Sequence, residues 1–354
     1  MKKIIFVTIS MRGGGTERVI SILANRMISM GYEVTIVMIA DPTTEYSLDE
    51  RICRVCVSKT TGGSLIGRIK RILNMRKEFA KDKTARIISM GTVSNMFTLA
   101  ASFGLKNPII ISERNDPNRL NHRPIKKHEV WLRNLLYIRA EKLVLQTTDV
   151  LGCFPAFLRK KCEVIPNPVP EGMPEPFSIE EREKTVITAG RLTEQKNHKM
   201  LLKVFSQFSK QFPEYRLKIF GRGELETALQ KQIGEMEMND KISLCGFSSD
   251  LYGELGKGGI YISTSDWEGI SNSLLEALAM GIPTIATDCP MGGSRMCIKD
   301  GCNGYLIPVQ DEEALLKKMI QLASDTQLRK AFSQNAMKIR EDFSATTITK
   351  QWME

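Results

Sequence analysis

No stretch of this sequence is apolar for long enough to span a membrane, and no internal repeat or low-complexity tract occurs, so spanning, solenoid and disordered classes drop out. A secretion signal is also missing. Met1-Lys2-Lys3 followed by Ile4 to Ile9 has too short an apolar run and no small-residue cleavage site, so it reads as a first strand, and a cytosolic start is expected. The basic segments lack the interleaved aromatics of a single-strand nucleic-acid platform, which argues against a nucleic-acid partner. Cysteine is present eight times but without a framework. Cys53 and Cys56 have C-x-x-C spacing, and Cys297 and Cys302 lie close in sequence. Strand alternation points Cys53 and Cys56 to opposite faces, so reduced structural thiols read better than a zinc site.

What is there is the composition of a soluble globular protein, 42% hydrophobic and 25% charged, with room in 354 residues for two domains of ordinary size. The net charge of +10 is unevenly held. Residues 1–170 carry 28 Lys and Arg against 14 Asp and Glu, a net +14, and the remaining 184 carry 22 against 26, a net −4. Such asymmetry predicts an anionic partner for the first half. Leu65 to Lys83 mixes Leu65, Ile66, Ile69, Ile72, Leu73 and Phe79 with Arg68, Lys70, Arg71, Arg76, Lys77, Lys81 and Lys83. Arg119 to Arg139 repeats the mixture, with Arg123, Lys126, Lys127 and Arg133 beside Trp131, Leu132, Leu135, Leu136 and Tyr137. Each reads either as a packed helix with a solvated basic face or as a helix lying on anionic lipid.

In chain order, a β-branched run from Lys3 to Ile9 leads through Gly13-Gly14-Gly15 to a helical pattern over Thr16 to Met30. The glycines let the backbone approach a ligand, with helix amides behind them, which suits phosphate. A dinucleotide reading would use Asp41 after a second strand, Glu33 to Ile39, but Arg18 stands where the third fingerprint glycine belongs. Further strands are expected at Ile52–Val57, Arg86–Ser89, Ile109–Ser112, Leu143–Gln146 and Cys162–Ile165, alternating with helices, hence a mainly parallel sheet with its ligand rim at Gly13–Gly15, Gly91-Thr92 and Glu113–Asp116. Prolines at 166, 168, 170, 174 and 176 then mark a linker. The expected division is a first domain over 1–168, a linker over 169–184, a second domain over 185–342, and a terminal segment 343–354 as a candidate to pack back on the first, which pattern alone does not decide. In the second domain strands are expected at Thr185–Ala189, Arg216–Phe220, Ile242–Leu244, Ile260–Ser263 and Thr284–Ala286.

Glu268 and Glu276 are eight apart around a turn and an apolar helix, in the stretch Asp266-Trp267-Glu268-Gly269-Ile270-Ser271-Asn272-Ser273-Leu274-Leu275-Glu276. One acid just before the helix and one a turn inside it can both face a ligand at the helix N-terminus, where amides favour phosphate. Taken alone, the pair also reads as dipole-favourable and solvated glutamates.

Together with Gly190-Arg191, Lys196, and Phe220-Gly221-Arg222-Gly223, that stretch resembles the retaining glycosyltransferases of the GT-B fold, family four. The resemblance covers nearly the whole chain, because Gly13-Gly14-Gly15-Thr16-Glu17-Arg18 resembles their first loop and Val164-Ile165-Pro166-Asn167-Pro168 their domain junction. It implies an α/β protein of two Rossmann-like doubly wound domains facing across a cleft. It further implies transfer from a UDP-sugar to a polyprenyl-diphosphate-linked or capsular glycan. Carried over, Arg191 and Lys196 grip the donor diphosphate, Glu276 bonds the ribose, and Glu268 with Gly269, Ile270, Ser271 and Asn272 holds the transferred sugar. Gly14, Gly15, Gly190, Gly221, Arg222, Gly223 and Phe247 complete the donor side. Thr16, Glu17, Arg18, Glu113, Arg114, Asn115 and His122 are the acceptor-side candidates. Many relatives place a histidine after the fifth strand, where this chain reads Ser112-Glu113-Arg114-Asn115-Asp116. No D-x-D occurs in the sequence, so neither a metal nor another cofactor is expected. An enzyme peripherally attached to the cytoplasmic face of a membrane follows, and a UDP-sugar epimerase of the same fold or a basic nucleic-acid binder are the rival readings.

Overall fold

Strands such as Lys3–Thr8 and Ile109–Ser112 are Ile- and Val-rich along their whole length because helices cover both faces of the sheet, and the strands of both large sheets pair in parallel. The computed structural model describes residues 2–58, 64–120, 123–248 and 250–354. It divides into two units, Met1–Pro168 with Ala345–Glu354, and Val169–Ser344.

In the first unit seven strands stand in the order Cys53–Cys56, Glu33–Met38, Lys3–Thr8, Arg86–Met90, Ile109–Ser112, Lys142–Leu145 and Cys162–Val164. The order reverses beside Lys3–Thr8, so its glycine loop and the helix Gly15–Ser29 stand at the switch point where such sheets receive ligands. The helix Thr92–Ala101 packs between Leu65–Ala80 and Lys127–Tyr137. A two-residue antiparallel pair, Arg119–Leu120 with Arg123–Pro124, precedes the last of these, so only part of the 119–139 segment is helical. The final helix, Ala345–Met353, packs on Gly15–Ser29 with Ile348 and Trp352 buried, and its Met353 carbonyl accepts from Arg86 at 3.0 Å.

The two basic helices turn differently from a simple basic face. Arg71 and Arg133 are inside, at 6% and 1% exposure, whereas Leu65, Ile66, Ile69, Leu73, Trp131, Leu132 and Leu135 are outside. Arg133 pairs inward because it donates to the Pro117 carbonyl at 2.6 Å and lies over the Phe154 ring at 4.8 Å.

The second unit has six strands in the order Ile242–Gly246, Arg216–Phe220, Thr185–Ala189, Ile260–Ser263, Thr284–Thr287 and Tyr305–Ile307. Phe205, Phe208, Leu229, Met319 and Phe332 fill one apolar cluster, and Leu274, Leu278, Met280 and Ile339 belong to a second. The strand Tyr305–Ile307 escaped sequence reading because it is three residues long, between Gly304 and Pro308. The proline-rich stretch 169–184 lies within this unit. Arg182, buried, ties it down by donating to the carbonyls of Gly256 at 2.8 Å and Met280 at 2.7 Å.

Candidate functional site

Two neighbouring strands, Thr185–Ala189 and Ile260–Ser263, send loops off their carboxyl ends, and the sequence locks those loops together. Asp266 donates its amide to the Gln195 carbonyl at 2.9 Å, and Gln195 returns its side-chain amide to the Trp267 carbonyl at 2.7 Å. Thr264 Oγ1 donates to the Lys196 carbonyl at 2.9 Å. Asn197 stands at φ 45° and ψ 46°, left-handed as Asn tolerates, caps the helix His198–Gln211 through Met200 N, and donates to Asp266 Oδ1 at 3.0 Å.

This clip sets Lys196 Nζ 2.5 Å from Glu268 Oε2, with the two side chains 13% and 19% exposed. Ser265 Oγ donates to the same carboxylate oxygen at 2.8 Å. Lys196 and Glu268, which the sequence places 72 residues apart with separate duties, are therefore each other's counter-ion in this structure. Arg191, one residue past Gly190, is exposed, and among the described residues its side chain makes no ion pair or hydrogen bond.

Glu268 leads into the helix Asn272–Ala279. Ser271 holds the N-cap position, but its hydroxyl meets Ser273 Oγ at 3.1 Å and makes no cap. Ser273 in turn donates to the Ala189 carbonyl at 2.7 Å. A helix start without a side-chain cap offers its amides to an anion instead. Glu276, 4% exposed, lies one turn further in and accepts from the Tyr252 hydroxyl at 3.2 Å. Tyr252, on the helix Leu251–Lys257, has no signal in the sequence that would pick it out, since its contact with Glu276 exists only in the fold.

Close backbone approach shapes the floor. Gly221 stands at φ 135°, and a Cβ there would fall 1.9 Å from the Gly190 carbonyl oxygen. A Cβ on Gly293 would fall 1.8 Å from the carbonyl oxygen of Gly269. Arg222 lies over the Phe247 ring at 5.8 Å, both residues exposed, while Gly223 meets the Leu192 backbone.

Within the first unit, Gly14, Gly15, Thr16, Glu17 and Arg18 open the helix after the glycine loop. The loop is partly occupied by the chain itself. Gly13 N donates to Glu45 Oε2 at 2.7 Å, Tyr46 donates to the Gly14 carbonyl at 3.0 Å, and Arg18 lies over the Tyr46 ring at 5.4 Å. Asp41, the acid of the dinucleotide reading, is paired with Arg12 at 2.6 Å. Glu113 faces inward, accepting from Thr92 Oγ1 at 2.7 Å and from the Tyr137 hydroxyl, and burial pushes its pKa up. Arg114 donates to Ser112 Oγ and Asn167 Oδ1, and Asn115 accepts from the Asp116 amide. His122 lies outside the described residues.

Residues 171–339, nearly the whole of the second unit, match the family of glycosyl transferases group 1. The second unit matches a glycosyltransferase family, and the whole chain has the GT-B fold. Over its full length the chain is 28% identical to an α-1,4-N-acetyl-D-galactosaminyltransferase of Campylobacter jejuni, named for a GalNAc- and diNAcBac-bearing PP-undecaprenol, and it covers 98% of that protein. It is also 28% identical to the amylovoran biosynthesis glycosyltransferase AmsD of Erwinia amylovora, over 96% of this chain and 95% of the relative. Its fold matches the crystal structure of Anabaena HepE in complex with UDP and glucose, with a TM-score of 0.83 at 17% identity, covering 100% of this chain and 98% of the other.

For a glycosyltransferase the second unit's arrangement has a direct chemical use. An exposed arginine, a lysine held on a carboxylate and an uncapped helix start are positive features beside two acids able to accept hydrogen bonds from hydroxyls.

Proposed function

We propose that this glycosyltransferase moves a hexose or N-acetylhexosamine from a UDP-sugar to a growing polyprenyl-diphosphate-linked glycan, with retention at the anomeric carbon and without a metal. The observation that carries the reading is the Lys196–Glu268 pair, clipped beside Arg191 and an uncapped helix N-terminus. As the sugar–phosphate bond breaks, charge gathers on the departing diphosphate, and Arg191, Lys196 and the helix amides stabilise it without a proton. In this reading Glu268 holds the transferred sugar with the backbone of Gly269 to Asn272, and Glu276, oriented by Tyr252, takes the ribose hydroxyls. Retention follows if the acceptor hydroxyl enters on the face the diphosphate vacates and passes its proton to a donor phosphate oxygen. Among the described residues no three His, Cys, Asp or Glu side chains gather as a metal site. The lipid-linked acceptor is argued from the names of the Campylobacter jejuni and Erwinia amylovora relatives.

We further propose that the first unit attaches the enzyme to the cytoplasmic face of a membrane. Among the described residues no helix is long and apolar enough to cross one. The two helices that flank Thr92–Ala101 do expose Leu65, Ile66, Ile69, Trp131, Leu132 and Leu135, with Arg68, Lys70, Lys77, Lys126 and Lys127 also exposed along or just before them, the mixture of an interfacial surface.

A panel of UDP-sugars offered with a short-chain polyprenyl-diphosphate glycan tests the transfer, with the anomeric configuration of the product read by NMR. An α-linked product formed undiminished in EDTA is expected. A 2-epimer of the sugar nucleotide without glycan product would establish the epimerase instead, and activity abolished by EDTA and restored by manganese would overturn the metal-free step.

A further inference from the structure

Under the loop that follows the strand Ile109–Ser112 sits a cation without an anion. Arg114 donates from NH1 to Ser112 Oγ at 3.3 Å and from NH2 to Asn167 Oδ1, both neutral oxygens. Its Nε is shut off from solvent and has no hydrogen-bond partner. The neighbouring carboxylate of Glu113 is turned away, to Thr92 and Tyr137, and no described carboxylate lies within ion-pair distance of Arg114. Burial alone lowers the guanidinium pKa, to about 9, which leaves it charged at neutral pH.

A half-buried charge whose Nε is sealed from water and whose other nitrogens face only neutral oxygens is costly to keep. Were the task merely to tie Asn167 to the sheet, a neutral donor would serve, and Gln146 already does so at 2.6 Å. What a guanidinium adds is a planar fork matched to the oxygens of a carboxylate or phosphate. The position fits that use: Ser112, Arg114, Gln146 and Asn167 lie at or just beyond the carboxyl ends of Ile109–Ser112, Lys142–Leu145 and Cys162–Val164, where parallel sheets receive ligands.

We propose that Arg114, seated by Ser112 and Asn167, is the receptor for a phosphate oxyanion in the first unit, carried by the diphosphate of the lipid-linked acceptor or by a free nucleotide. The choice of carriers rests on the transferase reading above. The intact chain is titrated calorimetrically with farnesyl diphosphate, standing for the acceptor's diphosphate, and separately with UDP, as wild type and as Arg114→Gln. A loss of at least tenfold for one probe, with the other within twofold and an unchanged melting curve, is expected and identifies the carrier. Arg114→Lys, which keeps the charge and loses the fork, is expected between the two. If Arg114→Gln melts early, the lysine variant decides, with a loss of threefold or more for either probe supporting the site. Both probes bound within twofold of wild type by a folded variant overturn the assignment. That failure is distinct from failure of the transferase reading, which is judged on sugar transfer by the wild type.

Discussion

His198 opens the helix His198–Gln211 at 2% exposure, and its burial, with Lys196 nearby, holds the imidazole to a pKa of about 4. A base whose pKa is depressed on folding favours the folded chain while neutral, so stability is complete above the ordinary value near 6.5 and falls as pH drops toward 4. Between pH 8 and pH 5 the loss from this residue is about 2 kcal/mol. Urea unfolding of wild type and His198→Gln at both pH values should show that dependence in the wild type alone, and parallel curves would remove His198 as its source. Beside it, the Lys196–Glu268 pair makes a different demand. Removing one partner leaves the other charge largely buried, at a cost of about 3 kcal/mol or more. Lys196→Ala should cut turnover by about two to three orders of magnitude, and the double change with Glu268→Ala should be no less stable than either single. A double variant whose losses simply add would deny the coupling. Glu276→Ala should weaken UDP itself, whereas Glu268→Ala should act chiefly on turnover with the UDP-sugar. Equal UDP losses in both would contradict that split. Both acids stood out in the sequence by type and spacing, and the lysine only through the family resemblance; that Lys196 and Glu268 pair was not legible, because the closure is made by Gln195, Asn197 and Asp266 through bonds that no periodicity encodes.

At the scale of an element, the loop 194–197 joins local conformation to the proposed site. Asn197 combines a left-handed backbone, a helix cap and a bond to Asp266. Asn197→Gly keeps the backbone preference and loses the side chain, at roughly a few tenths of a kcal/mol for the cap. Asn197→Ala loses both and should be destabilised by about 1 kcal/mol more. Denaturant midpoints in that order, with turnover reduced in both, are expected; alanine at or above glycine in stability would mean the left-handed turn is not retained. Most strands were legible because β-branched runs buried on two faces have little else to become, as at Ile4 to Val7 and Ile109 to Ile111. The short strand Tyr305–Ile307 and the pair at Arg119 and Arg123 were not, since two or three residues carry no period. Helical spacing also failed to say which side of Leu65–Ala80 faces in: Arg71, Met75 and Phe79 do, leaving Leu65, Ile66 and Ile69 outside because packing, not composition, chooses the face.

For the whole molecule the informative quantity is the +14 of residues 1–170 set against −4 in the rest. A Lys or Arg near an anionic leaflet contributes about 1 kcal/mol, decaying within a Debye length. Changing Arg68, Lys70, Lys77, Lys126 and Lys127 together to Glu should weaken co-sedimentation with phosphatidylserine vesicles at least tenfold. Wild-type binding should fall as salt rises. Vesicle binding indifferent to lipid charge, or absent at low salt, would sink the membrane proposal. The helix Ala345–Met353 has a consequence in time. It seals the first unit with Ile348 and Trp352, yet it is made only after the whole of Val169–Ser344. At ordinary synthesis rates the nascent first unit waits roughly 10 to 35 s, its flank against Gly15–Ser29 open, until the end of the chain arrives. The second unit is complete before the first, so a chain halted before Ala345–Met353 emerges would hold a finished second unit beside an unfinished first one, and chaperones that shield apolar surface would find their client at the N-terminal end.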